Sequence, residues 1–153
     1  MEVVSYKMQI KAINSASGYS VDTALVERIA KKVLKRVDVG GVASLEILFV
    51  SDRDIHKLNK RFKGRDRATD VLSFELGEVG SIAISLDMAS RNTKVFTTPF
   101  HEEAVRYVIH GILHLFGYDD DTRLHRLKMA AKEDMILRYV CANTNLSKAL
   151  TRR

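Results

Sequence analysis

The chain has 153 residues, of which 46% are hydrophobic and 29% are charged, which excludes a chain that is disordered as a whole and fits one soluble globular domain. Its formal net charge of +6 favours a polyanionic partner, and nucleic acid is the commonest one, although moderate basicity can also serve solubility alone. No stretch reaches the apolar length that crosses a bilayer, so no membrane partner is expected.

The N-terminal half of the chain alternates predicted strands with predicted helices. Apolar and polar residues alternate in the first strand, and apolar residues recur every three to four positions in the helices. Serine, aspartate and glycine residues supply caps and breaks at the boundaries. The predicted elements are a strand at Val3–Ile13, a turn at 15–20, a helix from Ser20 or Asp22 to about Val37 that ends at Gly40-Gly41, a strand at Leu45–Val50 and a helix from Ser51 or Asp52.

The C-terminal half begins with a predicted hairpin and continues as helices. Two strands rich in apolar residues are joined through glycines, which is typical of a hairpin. Two threonines followed by the only proline of the chain, Pro99, predict a helix start with a hydroxyl cap. The predicted elements are strands at Thr69–Leu76 and Ser81–Leu86, a short helix at 87–92, a helix from Thr97-Thr98-Pro99 to Phe116 and a last helix from about Thr122 to Tyr139.

This order of elements predicts a single α+β domain over residues 1–153, with a mixed sheet of about four strands packed with about five helices. Residues 140–153 are polar and basic, so we expect a loose basic tail there. The last helix is expected to pack through one apolar face, formed by Leu124, Leu127, Ala131 and Met135.

The strongest chemical signal in the sequence begins at His110. His110 and His114 are four residues apart, so on a helix both imidazoles lie on one face, one turn apart. Gly117 can end the helix in a left-handed conformation, and the returning chain can then bring Asp120 to the same point. Such a set leaves one coordination position open, which is typical of a catalytic zinc site. Ordinary helix packing also explains a histidine pair, and His125 is a less favoured third ligand because it lies one turn into the last helix.

A glycine lies between the two histidines. Glycine inside a helix lowers stability by roughly 0.5–1 kcal/mol relative to alanine. Gly111 therefore indicates a close approach of the helix backbone to another part of the fold.

A short basic segment precedes the predicted hairpin. Most such segments are a solvated helix face and loop. Gly64 breaks the helix inside this one, and a strand follows it, so the segment is also a candidate for a loop that contacts phosphate. Its six basic residues are Lys57, Lys60, Arg61, Lys63, Arg65 and Arg67.

Three blocks of the sequence stand out: Leu58-Asn59 through Gly64, the TDVLSF block at Thr69–Phe74 and the HGILHLFGYD block at His110–Asp119. Together they resemble the YbeY family of bacterial endoribonucleases. The resemblance extends over about residues 45–137. It implies an α+β fold, a zinc-type metal site, cleavage of single-stranded RNA, and a role in small-subunit ribosomal RNA maturation and ribosome quality control.

Four positions differ from the pattern of that family. Asp120 stands where the family usually has a third histidine, and Lys63 stands where it usually has arginine. Aspartate is an accepted zinc ligand, but it is harder than imidazole and shifts the preference toward other divalent ions. Lysine keeps the positive charge, but it cannot form the bidentate hydrogen bonds that guanidinium makes with phosphate. Ala68 and Ser81 replace a common proline and a common aspartate.

We therefore expect a metal-dependent endoribonuclease, with single-stranded RNA, ribosomal RNA and the small ribosomal subunit as partners. His110, His114 and Asp120 are predicted to hold one divalent metal, with Zn²⁺ favoured. Lys63 and Arg65 are predicted to be catalytic. Both of these residues, together with Arg67, are predicted to bind RNA.

Two other functions fit parts of the sequence. The spacing of His110, His114, Gly117 and Asp120 parallels the metzincin pattern HExxHxxGxxH, although Gly111 stands where that pattern needs its catalytic glutamate. A non-catalytic ribosome-assembly factor with a weakened metal site is the second alternative.

Asp119 and Asp121 flank the predicted third ligand. Either carboxylate could orient a ligand histidine, and capping of the last helix is an equally good explanation. The sequence does not identify a general base.

The compartment is indicated by the single cysteine and by the N-terminal residues. One cysteine, Cys141, cannot form an internal disulfide, which favours a reducing compartment. The residues after Met1 lack a basic stretch followed by a long apolar run, and the first arginine is Arg28, so no targeting segment is expected. We predict a cytoplasmic protein.

Overall fold

A mixed sheet forms the centre of the fold in the computed structural model, which describes residues 8–37 and 42–153. Within these ranges there are six strands and five α-helices. The strands are β1 Gln9–Asn14, β2 Tyr19–Val21, β3 Ser44–Val50, β4 Val71–Leu76, β5 Val79–Ser85 and β6 Leu150–Arg152. The helices are α1 Thr23–Leu34, α2 Asp52–Lys63, α3 Leu86–Phe96, α4 Phe100–Leu115 and α5 Arg123–Asn143.

Four of the strands form the main sheet in the order β1-β3-β5-β4. β3 pairs in parallel with both β1 and β5, whereas β4 pairs antiparallel with β5 through a hairpin. Gly77 has a φ of +62° at this turn, where glycine carries no steric penalty. The predicted α+β class, mixed four-stranded sheet and five helices are confirmed.

Alternation along the strands divides the core between the two faces of the sheet. Leu45, Ile47 and Phe49 of β3 pack with α1 and α4 on one face. Val50 packs with residues of α2 and β4 on the other face. Because β3 and β5 lie inside the sheet, both of their faces are covered, which explains their nearly continuous apolar sequences.

Helix caps fix the starts of α1 and α2. The Asp22 side chain accepts a hydrogen bond from the backbone N–H of Leu25, and Ser51 does the same for Asp54. Gly64 ends α2 in the left-handed conformation with a φ of +66°. The predicted residues 3–7 of the first strand and the predicted break at Gly40-Gly41 lie outside the described residues.

The start of α4 differs from the prediction. Pro99 itself is the N-cap residue, and none of the described side chains donates or accepts a capping hydrogen bond there. The hydroxyl of Thr98 donates instead to the buried carboxylate of Glu103, at 2.8 Å. The predicted hydroxyl cap was wrong because the N-cap position is taken by Pro99, whose side chain has no oxygen to accept a hydrogen bond from a backbone N–H.

The buried face of α5 also differs from the prediction. Leu124, Leu127 and Met135 are 58%, 59% and 54% exposed, and Ala131 is exposed as well. The helix instead packs through a face that contains an acid, so a search for a wholly apolar face selects the wrong side. The residues of the true buried face are Met129, Glu133, Ile136, Leu137 and Val140.

The predicted loose tail was wrong as well. Residues 146–148 form a single 3₁₀ turn, and β6 pairs antiparallel with β2, a strand that begins inside the segment predicted as a turn. Leu146, Ala149 and Leu150 are buried in the main core. Basic residues next to these apolar residues obscure the hydrophobic pattern of the segment. The strand that β6 pairs with, β2, lies near the opposite end of the chain, so local sequence does not reveal the pairing.

No helix within the described ranges combines the length and the apolar character needed to cross a membrane.

Helix α4 lies very close to the sheet at Gly111. A methyl group added there would stand 2.4 Å from Cγ2 of Ile82 in β5. The carbonyl of Gly111 also accepts a hydrogen bond from the Ser73 hydroxyl of β4, at 3.0 Å. The close approach that the sequence predicts at Gly111 is therefore confirmed, and it sets the position of the two histidines on either side.

Gly111→Ala is expected to lower the free energy of unfolding by about 1–3 kcal/mol, because the added methyl group overlaps Ile82. Without that overlap, alanine in a helix would instead stabilise the protein by about 0.5–1 kcal/mol. Urea unfolding measures the difference. In an Ile82→Ala background the same substitution should have a much smaller effect, and an equal loss in both backgrounds would contradict this explanation.

Candidate metal centre and nucleic-acid cleft

A cleft of about 610 Å³ opens beside the edge strand β4, between the C-terminal ends of α2 and α4. All three predicted metal ligands line it, together with two of the three predicted RNA-binding residues, Lys63 and Arg65. The titratable side chains that line the cleft are Lys63, Arg65, Asp70, Glu75, His110, His114, Asp119 and Asp120.

The three predicted metal ligands lie together in this cleft. The Nε2 atoms of His110 and His114 are 3.1 Å apart, and Nε2 of His114 is 3.5 Å from Oδ2 of Asp120. One ligand atom of each residue lies within 4.8 Å of the other two. The helical spacing therefore aims both imidazoles at one point, as the sequence predicts.

A tight turn brings Asp120 back to the histidines. Gly117 has a φ of +93°, which is the left-handed conformation predicted for the end of α4. The N–H of Tyr118 donates to the carbonyl of Leu113 at 3.0 Å, so the chain folds back over the last turn of the helix. Asp120 follows two residues later and faces His114.

The distances in this group fit one divalent cation. Donor atoms of a tetrahedral zinc site with bonds of about 2.0–2.1 Å lie about 3.3 Å apart. The 3.1 Å and 3.5 Å separations at His114 lie on either side of that value. Two imidazole nitrogens and one carboxylate oxygen are also a donor set that zinc accepts with a position left open.

The two histidines have opposite protonation tendencies. Burial alone would lower the pKa of His110, but the hydrogen bond and negative charge of Glu133 outweigh burial and raise it. Burial and the neighbouring positive charge of His110 lower the pKa of His114. Two positively charged rings side by side are therefore disfavoured, so at least one imidazole of the pair stays neutral.

Glu133 contacts the candidate site and was missed by the sequence analysis. It lies on α5, and its Oε2 is 2.9 Å from Nδ1 of His110. Asp121 instead pairs with His125, and Thr122 caps α5, so neither predicted role of Asp121 is seen. An acid in the middle of the buried face of α5 was the available signal.

His125 lies away from the histidine pair. Its ring contacts Asp121 on the exposed side of the turn, and with Asp119 and Asp121 it forms a separate group of possible ligands. Asp120 is the acid that faces His114. The geometry therefore favours Asp120 over His125 as the third ligand.

The basic loop after α2 supplies the positive side of the cleft. Lys63 and Arg65, on either side of Gly64, line the cleft with exposed side chains. Arg67, also predicted to bind RNA, is outside the lining in the described part of the chain, and its carbonyl accepts from the Asn59 amide at 2.9 Å. Asn59 is only 2% exposed, so this bond fixes the loop from inside.

Sequence and structure comparisons identify the relatives of this chain. The sequence profile of the family described as Endoribonuclease YbeY matches residues 9–140. The chain belongs to this family. The resemblance that the sequence blocks indicate is therefore confirmed.

Individual relatives support membership of the YbeY family. The Endoribonuclease YbeY of Pelotomaculum thermopropionicum is 36% identical over 127 residues, which is 75% of this chain and 84% of that protein. The Endoribonuclease YbeY of Chlorobaculum parvum is 35% identical over 130 residues, which is 82% of this chain and 92% of that protein. The solution structure of TM1509 from Thermotoga maritima matches with a TM-score of 0.62 and 31% identity, over 88% of this chain and 91% of that one.

Asp120→Ala is expected to weaken zinc binding by more than about 10-fold, since even the outer partners of metal ligands contribute about 10–100-fold. Asp120→His should restore or improve the affinity, because imidazole is the softer donor. Isothermal titration of metal-free protein with zinc measures both changes. The matched control is His125→Ala, which should bind like wild type. Weak binding by the control and normal binding by Asp120→Ala would assign the third ligand to His125 instead.

Proposed function

We propose that this protein is a metal-dependent endoribonuclease that cleaves single-stranded RNA, and that its substrate is ribosomal RNA of the small subunit. One observation carries the proposal: the same cleft joins a group of possible metal ligands to Lys63 and Arg65. Membership of the Endoribonuclease YbeY family supports the reaction and the class of substrate.

We further propose zinc as the metal, held by His110, His114 and Asp120. The two nitrogen donors favour zinc over magnesium and calcium, which prefer oxygen. When bound, such a cation polarises a phosphoryl oxygen and lowers the pKa of a coordinated water. Asp120 contributes a negative charge that an imidazole would lack.

The basic loop would hold the phosphate next to the metal ligands. Lys63 and Arg65 carry positive charges toward the cleft, where they can bind the non-bridging oxygens of one phosphate and stabilise the charge that develops on it. The bond from the Asn59 amide to the carbonyl of Arg67 fixes the backbone of the loop that carries Arg65. An unpaired strand suits an open cleft, because its bases can separate and its backbone can bend.

Packing at Gly111 argues against a metalloprotease. The general base of the HExxH pattern would have to stand at this position, and its Cβ would overlap Ile82. A non-catalytic assembly factor would bind RNA without turnover. We propose the cytoplasm and the small ribosomal subunit as the setting of the reaction.

The proposed reaction is tested with purified protein and three substrates: single-stranded RNA, the same RNA as a duplex, and casein. Cleavage of the single strand, its loss with chelator and its return with added zinc are the expected results. Binding without cleavage would identify an assembly factor, and hydrolysis of casein would identify a protease.

Lys63→Ala is expected to lower the rate of RNA cleavage by about 10-fold or more, because one donor to the developing charge is lost. Metal content and melting temperature should stay at wild-type values. Lys63→Arg should keep or raise the rate, since guanidinium binds two phosphate oxygens at once. Rates at several salt concentrations should also show a shallower salt dependence for Lys63→Ala.

Lys60→Ala provides the matched control for the loop. Lys60 is an exposed lysine of the same helix that is outside the described cleft lining. The Lys60→Ala substitution removes one positive charge without changing the cleft lining, so its effect on the rate of RNA cleavage should be small. Equal losses from Lys60→Ala and Lys63→Ala would mean that only the overall charge of the surface matters.

A further inference from the structure

Glu133 is a buried acid whose two oxygens have different partners. Its side chain lies on α5, and the residue is 9% exposed. Oε1 accepts a hydrogen bond from Nη1 of Arg106 at 3.1 Å, and Oε2 lies 2.9 Å from Nδ1 of His110. A buried carboxylate is costly unless both oxygens are satisfied, and here each has a charged or polar donor.

We propose that Glu133 is a positioning residue that fixes the tautomer and the orientation of His110 for metal binding. A carboxylate can only accept hydrogen bonds, so Nδ1 of neutral His110 must carry the proton. Nε2 then keeps its lone pair, and Nε2 is the atom that faces His114 at 3.1 Å. Carboxylates that hold ligand histidines in this way also raise the basicity of the ring.

Arg106 makes the orientation of Glu133 definite. Guanidinium only donates hydrogen bonds and does not lose its proton in proteins. Its contact with Oε1 therefore leaves Oε2 for His110. Arg106 also contacts Asp134 at 2.8 Å, so it links two neighbouring acids of α5 to α4. A purely structural role, in which this ion pair only fastens α5 to α4, is the alternative to be tested.

Glu133→Gln distinguishes positioning from a structural role. Arg106 requires an acceptor, so the amide oxygen should turn toward it and the amide NH₂ should face Nδ1 of His110. Nδ1 must then accept, and the proton of the neutral ring moves to Nε2, the atom that faces the metal site. Zinc affinity is expected to fall by about 10–100-fold.

Asp134→Asn is the matched control. Asp134 contacts the same guanidinium, and its side chain is 51% exposed and lies on the outside of α5. This variant removes the same charge from the same ion-pair network and leaves the bond to His110 intact. It should bind zinc like wild type. Equal losses of zinc affinity in both variants would overturn the positioning role and support a structural one.

The tautomer itself can be observed without a variant. Long-range ¹H–¹⁵N correlation spectra of the metal-free wild-type protein, at a pH where His110 is neutral, should show the proton on Nδ1. The same spectra of Glu133→Gln should show it on Nε2. A wild-type ring protonated on Nε2 would overturn the inference, even if the variant failed to fold.

This inference rests on the metal site of the proposed function, and the two can fail separately. Zinc titration of wild-type protein tests the site: absence of binding would overturn the site and the inference together. Normal zinc binding by Glu133→Gln, with normal binding by wild type, would overturn the inference alone and leave the proposed function standing.

Discussion

The contact between α4 and the sheet at Gly111 is the constraint on which the site depends. Only a residue without a side chain lets the helix lie this close to Ile82 and accept the Ser73 hydrogen bond. His110 and His114 stand on either side of this point along the helix. Their rings can therefore reach the edge strand β4 and the cleft beside it.

Electrostatics then give the two rings different surroundings. Glu133 approaches His110 from α5, and Asp120 approaches His114 from the turn after α4. Each imidazole thus has one acid partner, while their Nε2 atoms face each other across 3.1 Å. When both neutral rings carry their proton on Nδ1, the two Nε2 lone pairs face each other, and one cation can bind both. Lys63 and Arg65 also line the cleft and add positive charge that can bind an anion.

Features of the site that depend only on residues close together in sequence were predictable from the sequence. The helical spacing of the histidines, the left-handed Gly117 and the break at Gly64 all follow from local backbone geometry. Glu133 was not predictable in this way, because its partner His110 is 23 residues away in sequence. A charged residue on the buried face of α5 also makes that face look like an exposed one in the sequence. The pairing of β6 with β2 was missed for a similar reason, since strand partners far apart in sequence leave no local pattern.

X-ray absorption spectroscopy of the zinc-loaded protein tests the central claim most directly, because it reports the atoms around the ion. The geometry predicts two imidazole nitrogens at about 2.0–2.1 Å together with oxygen donors and no sulfur. A spectrum that requires three imidazoles, or a sulfur donor, would contradict a site formed by His110, His114 and Asp120.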